Sequence, residues 1–147
     1  MLIKVIINII ISALLTWALS KYIFPMAHTD ILSTAGVLST VAGILFGFVL
    51  AAISIFSSAS SGPDGIIQAL KATKVLPKII RNLLATGITL ILACISPLIS
   101  MFITDKLLIN SIRIDFVLTL FGLSTLLVSI GSFVSTWRKI NWILPHI

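Results

Sequence analysis

The side chains able to do chemistry in this chain are few: four aspartates with no glutamate, two histidines and one cysteine among 147 residues. His28 and Asp30 fall in one short segment, but a protein metal site needs at least one more ligand than they supply. His146 stands alone near the C-terminal end. Cys94 lies inside an apolar run, so an intrachain disulfide is impossible and a small buried apolar side chain is the expectation. No Ser/His/Asp spacing, P-loop or Gly-rich phosphate cradle is present. No catalytic residue, metal or cofactor is therefore expected, and the reading turns to neutral polar residues and their spacing.

Those residues are patterned. Side chains four apart lie on one face of a helix, and Asn8, Ser12, Thr16 and Ser20 keep that spacing without a gap. Ser39, Gly43, Gly47 and Ala51 do the same, and Gly43 and Gly47 make a GxxxG step. Thr86, Thr89, Ala93, Ser96 and Ser100 follow at steps of three and four, as do Gly122, Thr125, Ser129, Ser132 and Thr136. Small residues let helix backbones approach inside a membrane, so the Ser39–Gly43–Gly47–Ala51 ridge is read as a packing surface, within the chain or between copies in a homo-oligomer. The hydroxyl faces allow two readings. Ser and Thr can bond to the carbonyl four residues back in their own helix, or they can line a narrow polar path gated by apolar constrictions. Candidate lining residues are Asn8, Ser12, Thr16, Thr125, Ser129 and Ser132. Pro97 interrupts the third stripe and is expected to kink its helix.

The elements that carry these stripes follow from composition. Hydrophobic residues make up 59% of the chain and charged residues 10%, against about 25% charged in a soluble domain. Four runs are long enough to cross a hydrocarbon core, at about Leu2–Ser20, Gly36–Ser57, Leu83–Ile103 and Phe116–Thr136. Lys4 is the one Lys, Arg, Asp, Glu or His within them, near enough to an end to snorkel. The runs do not alternate as barrel strands would, so the fold class is an all-α membrane protein with four transmembrane helices in a single domain. The first run also resembles a secretory signal peptide ending at Ala18-Leu19-Ser20, but Asn8, Ser12 and Thr16 suit a packed helix better. Proton- and ion-coupled transporters place charges within their spans, so a small-solute transporter is the weakest reading.

Basic residues set orientation. Lys4, Lys71, Lys74, Lys78, Arg81, Arg138 and Lys139 fall on one side, and Lys21, Lys106 and Arg113 on the other. Both termini and the middle loop, at about residues 58–82, are therefore expected in the cytoplasm. Trp17, Tyr22 and Phe24 then mark the outer interface, and Trp137 and Trp142 the inner one. In the middle loop Pro63-Asp64-Gly65 reads as a turn, followed by a short interfacial helix from about Ile66. Pro77 is expected to break or kink the path into the third span. Lys71, Lys74, Lys78 and Arg81 are candidates for contact with lipid headgroups or a cytosolic partner. Their place at helix ends argues against direct nucleic-acid binding despite a net charge of +6.

Leu38-Ser39-Thr40-Val41-Ala42-Gly43, Ala51-Ala52, and the preceding Tyr22-Ile23 and Pro25 resemble the RexB family, membrane components of phage-exclusion systems. Length, four-span layout and a basic middle loop extend the resemblance loosely over the whole chain. The layout is also similar to small four-helix membrane proteins of other antiphage systems, including the Kiwa type. The resemblance implies an oligomeric, channel-like effector in the bacterial inner membrane that answers a cytosolic phage-sensing protein and depolarises the cell. The alternative is a non-conducting sensor or anchor subunit that recruits that partner.

Overall fold

The computed structural model of the chain describes residues 2–24, 26–59, 75–104, 107–109 and 112–143. It is built from α1 (Leu2–Ser20), α2 (His28–Ala59), α3 (Val75–Phe102) and α4 (Ile114–Ile143), with a small hairpin of β1 (Leu108–Ile109) and β2 (Ile112–Arg113) before α4. All four helices are long and apolar enough to span a membrane; even the 19 residues of α1 rise about 28 Å.

The helices reach further than the apolar runs. α2 starts at His28 rather than near Gly36, because Ala27 O accepts hydrogen bonds from the N–H groups of Asp30 and Ile31. Asp30 in that first turn suits the positive end of the helix dipole. α3 starts at Val75 rather than near Leu83, so Lys78 and Arg81 stand on its first turns, exposed, instead of in a loop. Pro77 neither breaks nor precedes that helix. It is the third residue of α3, where a missing N–H takes no intrahelical bond away. α4 runs past Thr136 and takes in Arg138 and Lys139. The expected interfacial helix near Ile66, with Lys71 and Lys74, lies outside the described residues.

α3 packs along both α2 and α4, while α1 lies mainly against α4. Ser39 of α2 meets Cys94 of α3, and Phe46 and Val49 lie beside Gly87, so these helices run antiparallel. Ser100 meets Thr119, and Thr86 meets Ser132, which makes α3 and α4 antiparallel too. One apolar cluster joins Leu38, Ala42 and Val49 of α2 to Leu83, Leu90 and Ala93 of α3 and Leu126 of α4. A second, around Ile31, Phe116 and Leu120, takes in Leu19 and Ile23 and so fixes the end of α1 beside the start of α4.

Polarity is inverted relative to a soluble domain, in which buried polar and exposed large apolar residues are the exceptions. On α1 the buried residues are Val5, Asn8, Ser12 and Thr16, while Ile3, Ile6, Ile10, Leu14 and Trp17 face outward. The same holds on α4, where Ser124, Thr125 and Ser129 are buried and Leu127, Ile130 and Val134 exposed.

Helix α3 continues through Pro97, whose ring is buried against Gly122 of α4. A Cβ at Gly122 would lie 2.4 Å from Pro97 Cγ and 2.7 Å from Cδ. The ring cannot rotate away, so Gly122→Ala should destabilise the bundle by roughly 1–3 kcal/mol, the usual cost of overpacking. Thermal unfolding in detergent should show that loss, and adding Pro97→Ala should restore part of it by removing the obstructing atoms. Gly131→Ala, with no atom within 4 Å of the new Cβ, should be neutral. Equal losses at both glycines would contradict the Pro97–Gly122 contact.

Candidate functional site

Two polar assemblies lie within the bundle. The first is a seam of hydroxyls between α3 and α4. Ser100 Oγ and Thr119 Oγ1 are 2.8 Å apart, Ser129 Oγ donates to Thr89 Oγ1 at 2.8 Å, and Thr86 Oγ1 and Ser132 Oγ are 3.2 Å apart. Pro97 and Gly122 sit between the first pair and the other two. Their small volumes bring the helices near enough for such short side chains to reach across.

Most of these hydroxyls also bond to their own helix. Thr86 Oγ1 donates to Asn82 O, Thr89 Oγ1 to Thr86 O, Ser100 Oγ to Pro97 O and Thr119 Oγ1 to Asp115 O. On the opposite flank of α3, Ser39 Oγ and Cys94 Sγ are 3.2 Å apart. The thiol is half-buried and its sulfur partner is a neutral hydroxyl, an arrangement of packing rather than reactivity.

Six residues were candidates for lining a path, and the structure puts all of them inside the bundle. Asn8, Ser12 and Thr16 are buried; Ser12 donates to Asn8 O and Thr16 to Ser12 O, both at 2.8 Å. Thr125 and Ser129 are fully buried, and Ser132 is half-buried against Thr86. Beside the seam is a cavity of about 40 Å³ lined by Leu45, Val49, Leu90, Ser129, Ile130 and Phe133, almost wholly apolar. Among the described residues the buried Nδ2 of Asn8 is left with no acceptor, a group whose desolvation costs about 1–3 kcal/mol.

The small-residue ridge splits. Ser39 turns inward to Cys94, whereas Gly43, Gly47 and Ala51 are exposed, and a Cβ at either glycine would meet no atom within 4 Å. Gly43 and Gly47 thus make no close approach between helices of one chain. Four residues in a 3.6-residue helix overshoot one turn, so a strict four-residue stripe winds off any single face.

The second assembly is a charged clamp at the end of the bundle where α2 and α4 begin. Asp115 is 1% exposed. Its carboxylate accepts from Arg113 Nη2 at 2.6 Å, Arg113 Nε at 3.2 Å, His28 Nδ1 at 3.0 Å and the Phe116 N–H at 2.8 Å. A carboxylate only accepts, so His28 carries its proton on Nδ1, and in the neutral ring Nε2 is left as the acceptor. Arg113 Nη1 also donates to Met26 O at 3.0 Å, tying the hairpin to the segment between α1 and α2. The hairpin places Arg113 opposite Leu108 at the foot of α4, two residues before its partner.

Sequence reasoning paired His28 with Asp30, its neighbour, and missed Asp115, 87 residues away. A signal was present: Asp115 is the acidic residue at the very start of an apolar run, where an unpaired carboxylate is costly. Thr119, one helical turn further, was also missed as a seam member. Among the described residues no group of three or more His, Cys, Asp or Glu side chains could hold a metal ion.

No family model, curated protein or solved structure matches this chain.

Two measurements check the assemblies. Asp115→Asn should cost roughly 1.5–3 kcal/mol, the range for hydrogen bonds to charged groups, because an amide replaces an acceptor with a donor facing Arg113 or His28. Denaturant unfolding in micelles reads the loss, and unchanged stability would refute the clamp. For the seam, a double-mutant cycle of Thr89→Val and Ser129→Ala should give a coupling near 0.6 kcal/mol, typical of membrane interhelical hydrogen bonds. Strict additivity would mean that the pair does not interact.

Proposed function

We propose that this chain is a multi-pass protein of the bacterial inner membrane, closed to ions in its resting bundle, that serves as a sensor or anchor subunit of an antiphage assembly. The observation that carries the closed state is the hydroxyl seam. Every candidate lining residue is packed against a neighbouring helix, and the cavity beside the seam is small and apolar. Dewetted apolar constrictions exclude ions. The outward-facing large apolar residues on all four helices support insertion. The seven-to-three division of basic residues supports a cytoplasmic location for both termini. The antiphage setting rests on the resemblance to the RexB family, and the cytosolic partner on the exposed basic residues Lys78 and Arg81 beside the middle loop.

A second reading is favoured by Gly43 and Gly47, whose open surroundings leave room for another copy's backbone. There the chain is an oligomeric, channel-like effector, and conduction requires the α3–α4 seam to part or a path to form between copies.

Reconstituted protein in liposomes loaded with a potential-sensitive dye separates the two. The closed-subunit reading expects an intact potential with wild-type protein alone; spontaneous dissipation that Gly47→Leu abolishes would replace it with the channel reading. Orientation has its own check. In a Cys94→Ala background, Thr29→Cys should react with an impermeant thiol reagent applied to cells, and Lys78→Cys should not; labelling at position 78 would reverse the topology.

A further inference from the structure

Among the described residues of the connection between α3 and α4, several large apolar side chains stand exposed. Phe102, which ends α3, is 89% exposed, and Leu107, Leu108 and Ile112 are each more than half exposed. The register pairs Leu108 with Arg113 and Ile109 with Ile112. Side chains alternate across a strand, so Leu108 and Ile112 stand on opposite faces of the ribbon. Exposed apolar side chains on both faces, Leu108 beside Arg113 on one and Ile112 on the other, are not the mark of a docking surface, which needs one. They fit an apolar medium on both sides. A two-stranded hairpin is also marginal in water on its own.

The level of the hairpin along the bundle is fixed. Arg113 bonds to Met26 O, so the ribbon sits beside the α1–α2 segment. That segment carries the exposed Tyr22 and Phe24, and just inside it the Lys21 ammonium lies 3.8 Å above the Trp17 ring. Exposed aromatic rings with a cation at a span's end are the composition of a membrane–water boundary. The hairpin joins two spans directly, α3 ending at Phe102 and α4 beginning at Ile114.

We infer that the β1–β2 hairpin lies within the headgroup–acyl boundary of the bilayer, a wading element that extends the lipid-facing surface of α3 and α4, rather than a solvent-exposed loop. Its occupant is lipid, against Leu108 on one face and Ile112 on the other. Arg113 is the link by which this immersed ribbon holds the clamp on Asp115. The inference rests on the membrane reading above.

Site-directed spin labelling in liposomes tests it. Single cysteines at Leu108, Ile112 and Ile10, in the Cys94→Ala background, receive a nitroxide. Collision with oxygen, which concentrates in the bilayer, is then compared with collision with a neutral nickel chelate, which stays in water. Positions 108 and 112 should both favour oxygen several-fold, and Ile10, on the outward face of α1, should favour it more strongly. A nickel-dominated signal at 108 or 112, with Ile10 still oxygen-dominated, would overturn the wading hairpin alone. Protection of either hairpin position from both reagents would overturn it as well, in favour of a covering protein. A nickel-dominated Ile10 would take the membrane reading down with it.

Discussion

The outward side chains of the four helices are mainly large and apolar, and the polar ones turned inward compete there for few partners, Asn8 Nδ2 finding none. That shortage orders the rest. Own-helix carbonyls satisfy Ser12, Thr16, Ser96, Ser124 and Thr125. The α3–α4 seam takes up others, and it exists only because the helices come close at Pro97 and Gly122. Each feature supports the next. The proline removes a donor for Ala93 O, the glycine admits the proline ring, and the approach lets Ser and Thr bridge on either side.

The four spans were legible because insertion demands a quantity that sequence displays directly, an uninterrupted apolar length. Their ends were not. Helix propagation across Thr29, Asp30 and Ser33, or across Lys78 and Arg81, depends on backbone hydrogen bonds that hydropathy does not weigh. The hydroxyl stripes were visible as spacing, and the facing of each was not, since spacing locates a face and only packing chooses its neighbour. Asn8, Ser12 and Thr16 therefore looked equally able to line a path or fill an interface until α4 was placed against them. Gly43 and Gly47 show the converse, a contact motif that the single chain leaves unused. The Asp115 clamp is a tertiary fact: its histidine comes from one helix, its arginine from the hairpin, and no local pattern joins them.

The two ends of the bundle are unlike. Where α2 and α4 begin, Asp115 is turned inward and paired with Arg113 and His28, and the exposed charges beside it, Lys21 and Asp30, are of opposite sign. At the other end Lys78, Arg81, Arg138 and Lys139 are exposed. Among the described residues one end thus exposes charges of both signs and the other only cations, so anionic partners, lipid or protein, have one end at which to bind.

The hydroxyl pairs differ in their supply of hydrogens. At the Thr89 pair each oxygen has one proton and one direction in which to use it: Ser129 gives to Thr89, and Thr89 gives to Thr86 O. The Thr86 pair completes the same relay, Ser132 to Thr86 to Asn82 O. At Ser100 and Thr119 three short contacts compete for two protons, because both oxygens already donate to their own helices at Pro97 O and Asp115 O. One of the three must always go without. This outermost pair, directly below the charged clamp, therefore has interchangeable proton arrangements where the others have one, and the polar order of the seam loosens toward the same end at which the ion pair tightens it.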